Sequence, residues 1–208
     1  MKPRDGRSGD EALGDVTEIA PFRRSTPRML LRPLEEADWL EFARVAELSR
    51  LEWAPWTPAP ESDQTGHAAF LGELLRTVQG AKSGTHVRLA GFTERGALVG
   101  TFALNEIVRG AFQSAYASWQ VSSDLVGQGL GTEGVRAILD LAFDDAPGGL
   151  GLHRVQANIM PANAASIHIA EKVGFRREGV ARRYLKIAGR WEDHLMFAVT
   201  KDDRDGAG

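Results

Sequence analysis

The clearest pattern in the chain runs from Ala115 to Phe143. Ala115–Val121 (AYASWQV) suits a pleated, half-buried surface and predicts a strand. From Val135 onward, Val135, Ile138, Leu139 and Ala142 recur at i, i+3, i+4 and i+7, which predicts a helix with one apolar face. Between them lies a glycine hinge, Val126-Gly127-Gln128-Gly129-Leu130-Gly131-Thr132.

The rest of the chain falls into order around that unit. Residues 1–26 mix charge, glycine and proline without periodicity and read as a flexible tail or an edge addition. A short strand is predicted over Pro27–Leu34, ended by Pro33. A helix follows over Glu35–Arg50, with Trp39, Phe42, Val45, Ala46 and Leu48 on its apolar side. Leu51–Pro60 holds three prolines and two tryptophans, which predicts an extended loop. A second helix is expected over Asp63–Gln79, with Ala69, Phe70, Leu74, Leu75 and Val78 inward. Strands follow over Thr85–Thr93, Ala97–Val108 and Phe112–Ser122, broken by glycine turns. After the hinge helix, Leu152–Met160 returns as a strand, which implies a right-handed crossover. A helix over Asn163–Val173 stops at Gly174, and two strands, Phe175–Lys186 and Trp191–Thr200, close the fold, with 201–208 as a tail. The folded body, on this reading, is one α/β domain over 27–200.

Composition narrows the function classes. At 208 residues the chain is long enough for a sizeable core. A net charge of -3 argues against a general nucleic-acid binder. The absence of cysteine removes disulfides, thiolate catalysis and cysteine-based zinc sites. No apolar run reaches the roughly 18 residues of a membrane span, and no secretory h-region follows Met1, so a cytoplasmic protein is expected.

A glycine hinge between a strand and a helix N-terminus is suited to an anion. The first helical turn has unpaired backbone N–H groups, the helix dipole favours negative charge there, and glycine lets that backbone approach a phosphate. A pyrophosphate seated on Gly127–Thr132 is the expected ligand group. Gly129-Leu130-Gly131-Thr132-Glu133-Gly134 also fits a dinucleotide fingerprint, but that pattern needs an acid near the end of the next strand, which ends Met160-Pro161. A nucleotide P-loop needs Lys and Ser or Thr after the last glycine, where Thr132-Glu133 stands. A purely structural turn is the remaining alternative.

Val126–Gly134 resembles the acyl-CoA pyrophosphate loop of the GNAT superfamily of N-acetyltransferases. Leu152–Val155, Asn163–Ser166, Glu171–Gly179 and Gly189–His194 follow in order and resemble the RimJ/RimL branch, which acetylates protein N-termini. The resemblance covers about Arg28–Val199. It implies an α/β (α+β) fold: a mixed, mostly antiparallel sheet with two splayed parallel strands and flanking helices. It departs at Val126, where the family has Gln or Arg.

The resemblance also implies roles. Acetyl-CoA would be held by Val126, Gly127, Gln128, Gly129, Leu130, Gly131 and Thr132. Its pantetheine arm would lie between the strand ending near Val121 and the one beginning near Leu152. Backbone N–H groups around Trp119, Gln120 and Val121 would face the oxyanion. Asn163 corresponds to the family's pantetheine-binding Asn, and can equally be a plain helix N-cap. Many members place a proton-donating Tyr seven residues later, where Ala170 stands. Ser166 is therefore the candidate donor to the leaving thiolate, with a capping serine the alternative. Glu106, Asp193 and His194 are candidate general bases, beside solvent acting through an ordered water. Trp53, Trp56 and Trp191 are candidates for the acceptor site, and core packing is the other reading of the first two. Arg182, Arg183 and Lys186 suit an acidic acceptor, the CoA 3′-phosphate, or plain solvent. His168 and Glu171 read as helix surface, and no metal is expected.

The expected activity is transfer of acetyl from acetyl-CoA to a primary amine, most readily a protein N-terminal α-amine of the ribosomal-protein type. A small-molecule amine (polyamine, amino acid or antibiotic) is the alternative acceptor, and a non-catalytic CoA-binding regulatory module the alternative class. A homodimer is compatible with the superfamily.

Overall fold

The computed structural model describes residues 22–58 and 66–205. Most of the tail expected over 1–26, and the expected start of the second helix at Asp63, lie outside these residues.

Among the described residues eight strands form a single sheet: β1 (Arg24–Ser25), β2 (Met29–Arg32), β3 (Val87–Thr93), β4 (Leu98–Val108), β5 (Ser114–Val121), β6 (Arg154–Ile159), β7 (Arg176–Ile187) and β8 (Arg190–Thr200). The spatial order is β1-β2-β3-β4-β5-β6-β8-β7, and β5–β6 is the parallel pair in an otherwise antiparallel sheet. That mixed, mostly antiparallel α/β architecture agrees with the expectation. Among the described residues the α-helices are α1 (Trp39–Trp53), α2 (Gly66–Ser83), α3 (Leu130–Phe143), α4 (Ala164–Lys172) and α5 (Lys201–Asp205).

Strand alternation divides the core between the two sheet faces. Leu89, Phe102, Ala115, Ala117, Val155, Ala157, Phe197 and Val199 belong to a large cluster under α3. Ala90, Phe92 and Leu98 look the other way, into a smaller cluster with Val45 of α1 and Phe70 and Leu74 of α2. Helix α3 is buried around most of its circumference, and Glu133, Arg136 and Asp140 are its partly or fully exposed positions. Gly134 is why it can sit so close to β4: a Cβ there would lie 2.1 Å from Phe102 Cζ.

Several boundaries differ from the periodicity. Arg24–Ser25, inside the segment read as a flexible tail or an edge addition, pairs with Leu30 and Leu31 at the sheet edge, as the second reading has it. Helix α1 begins at Trp39, not Glu35, because Asp38 ties a preceding 3-10 turn. Its carboxylate accepts the Glu35 N–H at 2.8 Å and both prongs of Arg32 at 2.7 and 2.8 Å. The same helix runs on to Trp53, so the first residues of the expected extended loop are helical. Leu48 is 44% exposed, while Ser49 is fully buried and accepts the Ser123 N–H. A polar contact, not an apolar stripe, sets the rotation of that end. In α2 the buried line is Phe70, Leu74, Thr77 and Gly80, leaving Leu75 exposed, because α2 packs at Gly80 against His86. Helix α5 occupies the start of the segment expected as a C-terminal tail.

Candidate active site

The glycine hinge has the features an anion site needs. Gly127 and Gly129 take positive φ (77° and 78°), and Gly129 is the N-cap of α3 in the left-handed region that glycine enters without strain. Among the described residues, no protein acceptor takes the backbone N–H groups from Val126 to Thr132. These donors cluster at the positive end of the α3 dipole. Gly131 faces Ile169 of α4 and Val121 of β5, and a Cβ there would meet both at 3.0 Å. Val126, at the head of the loop, is 61% exposed.

Strands β5 and β6 part toward the end of β5 that leads into the glycine hinge, where Val121 faces Gly131. Their pairing covers Ser114–Arg154, Ala115–Val155 and Tyr116–Gln156 and then stops. Beyond it β5 continues to Val121 on β4 alone, and β6 continues to Ile159 on β8 alone. Each diverging stretch carries an unmatched buried polar atom: Trp119 Nε1 on β5 and Asn158 Oδ1 on β6 have no partner among the described residues. Buried polar groups are ordinarily satisfied; here one orphan stands on each sheet face beside the split, Trp119 toward α3 and Asn158 toward Tyr184. The orphaned hinge amides and the split sheet together fit acetyl-CoA.

Asn163 and Ser166 stand at the N-terminus of α4, near that opening. Asn163 is the N-cap: its Oδ1 accepts the Ser166 N–H at 3.1 Å, as the plain capping reading has it. Its Nδ2 and the Ser166 hydroxyl make no hydrogen bond among the described residues. His168 and Glu171 are both exposed, and no cluster of three His, Asp or Glu able to hold a metal occurs among the described residues.

On the opposite sheet face a polar surface spans β4 to β7. Asn158 Nδ2 donates to the Tyr184 hydroxyl at 2.8 Å, and the Tyr184 ring packs on His194 with centroids 5.3 Å apart. Burial pushes the Tyr184 phenol above its usual range, and the neighbouring Tyr116 and Glu106 add to this. His194 is buried, with Nδ1 3.1 Å from the Glu192 carbonyl. Glu106 is exposed on a β4 bulge at φ 49°, and Arg183, at φ 48°, forms the matching irregularity of β7. Asp193 caps that second bulge by accepting the Arg183 N–H at 2.8 Å, so one of its oxygens is committed to the hairpin.

The α1 end closes this surface. Trp53 Nε1 donates to the Val121 carbonyl at 2.9 Å, and Gln120 Nε2 reaches Thr57 Oγ1 at 3.1 Å. Trp53 and Gln120 line a cleft with Phe42, Val45, Thr101 and Arg88. Glu73, at its floor, bonds Arg88 at 2.6 Å and Arg76 at 2.9 Å. Burial works to raise the Glu73 pKa, but the two guanidiniums outweigh it and hold the carboxyl below its ordinary value. Trp56 is partly exposed beside this turn, whereas Trp191 lies at the far hairpin, 61% exposed. Tyr116, Asn158 and Tyr184 are the members of this surface that no local sequence signal singled out. The one available trace is polar residues at alternate positions within apolar strands.

A sheet split between two parallel strands, with a glycine-led helix below the split, defines an acyl-CoA-dependent transferase architecture. The chain belongs to the GNAT acetyltransferase family: the family described as "Acetyltransferase (GNAT) domain" matches residues 28–176. Among its relatives, the ribosomal protein uS5-alanine N-acetyltransferase of Escherichia coli is 26% identical over 92% of this chain and 97% of that protein. "Probable N-acetyltransferase YjcK" of Bacillus subtilis is 42% identical over 51% of this chain, and the match spans 56% of YjcK. Among solved structures, Mycobacterium smegmatis RimJ in complex with CoA-disulfide superposes with a TM-score of 0.78 at 28% identity, covering 84% of this chain and 83% of that one. The Vibrio fischeri ribosomal-protein-S5-alanine acetyltransferase gives 0.76 at 26% identity, with 87% and 97% covered.

Proposed function

We propose that this GNAT enzyme acetylates the N-terminal α-amine of a protein, of the ribosomal-protein type, in the cytoplasm. The observation that carries this reading is the charge state of the face beyond the β5–β6 split. Glu73 is neutralised by Arg88 and Arg76, and Asp193 is bonded to the Arg183 backbone. Among the described residues of that face, Glu106 is left as the carboxylate without a hydrogen bond or ion pair. One free carboxylate suits one amine, whereas a polyamine presents several positive charges. The nearly full-length likeness to uS5-alanine acetyltransferases supports the same acceptor class.

Bound acetyl-CoA would supply an activated acetyl thioester. The hinge amides of Val126–Thr132 would hold its pyrophosphate, and Asn163 Nδ2 would reach the pantetheine while Oδ1 continues to cap α4. Backbone N–H groups around Trp119–Val121 would stabilise the oxyanion, and the Ser166 hydroxyl would return a proton to the thiolate. On the acceptor side Glu106 takes the amine proton, and the neutral Tyr184 phenol offers the amine a hydrogen-bond partner.

The test is mass spectrometry of peptides and small amines incubated with the enzyme and acetyl-CoA. Acetylation confined to the α-amine of an alanine-led peptide is the expected result. Turnover of spermidine or an aminoglycoside with peptides untouched would overturn the acceptor assignment. Full turnover in the Asn163→Ala, Ser166→Ala double variant would overturn the donor-side roles.

A further inference from the structure

The first turn of α3 carries Glu133, an acid placed where a phosphate is expected to bind. Its carboxylate is not left to act on that site. Arg28, 105 residues earlier on the approach to β2, donates its backbone N–H to Glu133 Oε1 at 3.0 Å and its Nε to Oε2 at 2.7 Å. The same guanidinium donates through Nη1 to the Gln128 carbonyl at 2.8 Å, inside the glycine hinge. Burial would raise the Glu133 pKa, but bonds from Thr26 and Arg28 hold it below the carboxylate range, so the pair is a fixed zwitterion.

The second contact has a geometric effect. In a planar trans peptide the C=O and the N–H of the next residue point in opposite directions. Holding the Gln128 carbonyl toward Arg28 therefore aims the Gly129 N–H away from Arg28, and it has no backbone acceptor among the described residues. We propose that Arg28 is the positioning residue of the donor site: it cancels the Glu133 charge and orients the Gly129 amide for the CoA pyrophosphate. This rests on the seating of CoA phosphates at Val126–Thr132.

The experiment measures CoA binding by titration calorimetry on the full chain for wild type, Arg28→Ala, Arg28→Lys, Glu133→Gln and the Arg28→Ala, Glu133→Gln double variant. Thermal unfolding of each variant checks that it is folded. Arg28→Ala should weaken CoA about tenfold, the effect of an uncompensated charge plus one misaligned donor. Arg28→Lys keeps the charge but not the fork, and should fall between wild type and alanine. Removing Glu133 in the Arg28→Ala background should restore part of the affinity. Turnover with S-acetyl-pantetheine, which lacks the phosphates, should be the same in wild type and Arg28→Ala. CoA affinity of folded Arg28→Ala within twofold of wild type would overturn the inference, as would equal losses with CoA and acetyl-pantetheine. A wild-type protein that binds CoA no better than pantetheine would instead overturn the phosphate seat itself.

Discussion

The two sides of the β5–β6 split are built from different materials. On the donor side, recognition is prepared by backbone: glycines at positive φ, orphaned amides and a helix buried on nearly every face. On the proposed acceptor side the polar groups are side chains, Tyr116, Asn158, Tyr184, His194 and Glu106, drawn from five strands. A ligand common to a whole family can be met by main chain, which varies little with sequence. An acceptor that differs among members has to be met by side chains.

Four substitutions sharpen that contrast, beginning with the largest effect. Gly100→Ala would put a Cβ 2.0 Å from the Gln120 carbonyl oxygen, and Gly134→Ala would put one 2.1 Å from the Phe102 ring. Backbone and a fully buried ring have little room to yield, so each variant should lose about 3 kcal/mol of stability, the upper part of the usual overpacking range. The urea midpoint measures this, and an unchanged midpoint would mean α3 and β5 are less tightly seated than described. Tyr184→Phe should behave in the opposite way. It removes one hydrogen bond, so stability should fall by about 1 kcal/mol, CoA affinity should not move, and kcat/KM for the acceptor should fall roughly tenfold. A change in CoA affinity as large as that in kcat/KM would erase the distinction between the two sides.

The smallest effect concerns the cleft floor. Glu73 is held below its ordinary pKa of 4.5 in the folded chain, so its pairing stabilises the fold above that value. That stability is lost as pH falls through the depressed folded value. Glu73→Gln should therefore cost on the order of 1 kcal/mol at pH 7 and flatten the acid limb of stability below about pH 4.5. A thermal unfolding series from pH 7 to 3 reads both, and parallel curves for wild type and variant would remove Glu73 from the account.

What could be read from sequence follows the same division. Helix α3 and its glycine hinge were legible because both signals are local: a 3.6-residue apolar period and glycines within one turn. Asn163 was legible as either cap or ligand, and the cap is formed. The misplacements at Leu48 and Leu75 have a common cause. Apolar period identified the helices, but Ser49 meeting Ser123 and Gly80 meeting His86 fixed their rotation. Long-range pairings left no local trace. Arg28 and Glu133 are far apart in the chain, and the bulges at Glu106 and Arg183 follow no residue preference, since both are ordinary charged residues at positive φ. The acceptor surface was accordingly reduced to candidates chosen by residue type.

Strand β5 serves both sides at once. Trp119 and Val121 pack against the layer beneath α3, while Ser118 bonds Asn105 and Gln120 bonds Thr57 on the other face. Because neighbours on a strand point to opposite faces, substitutions at Tyr116, Ser118 and Gln120 can be sampled without disturbing the residues between them. Under the proposed assignment, the even-numbered positions are free to vary with the acceptor while the odd-numbered ones keep the packing beneath α3.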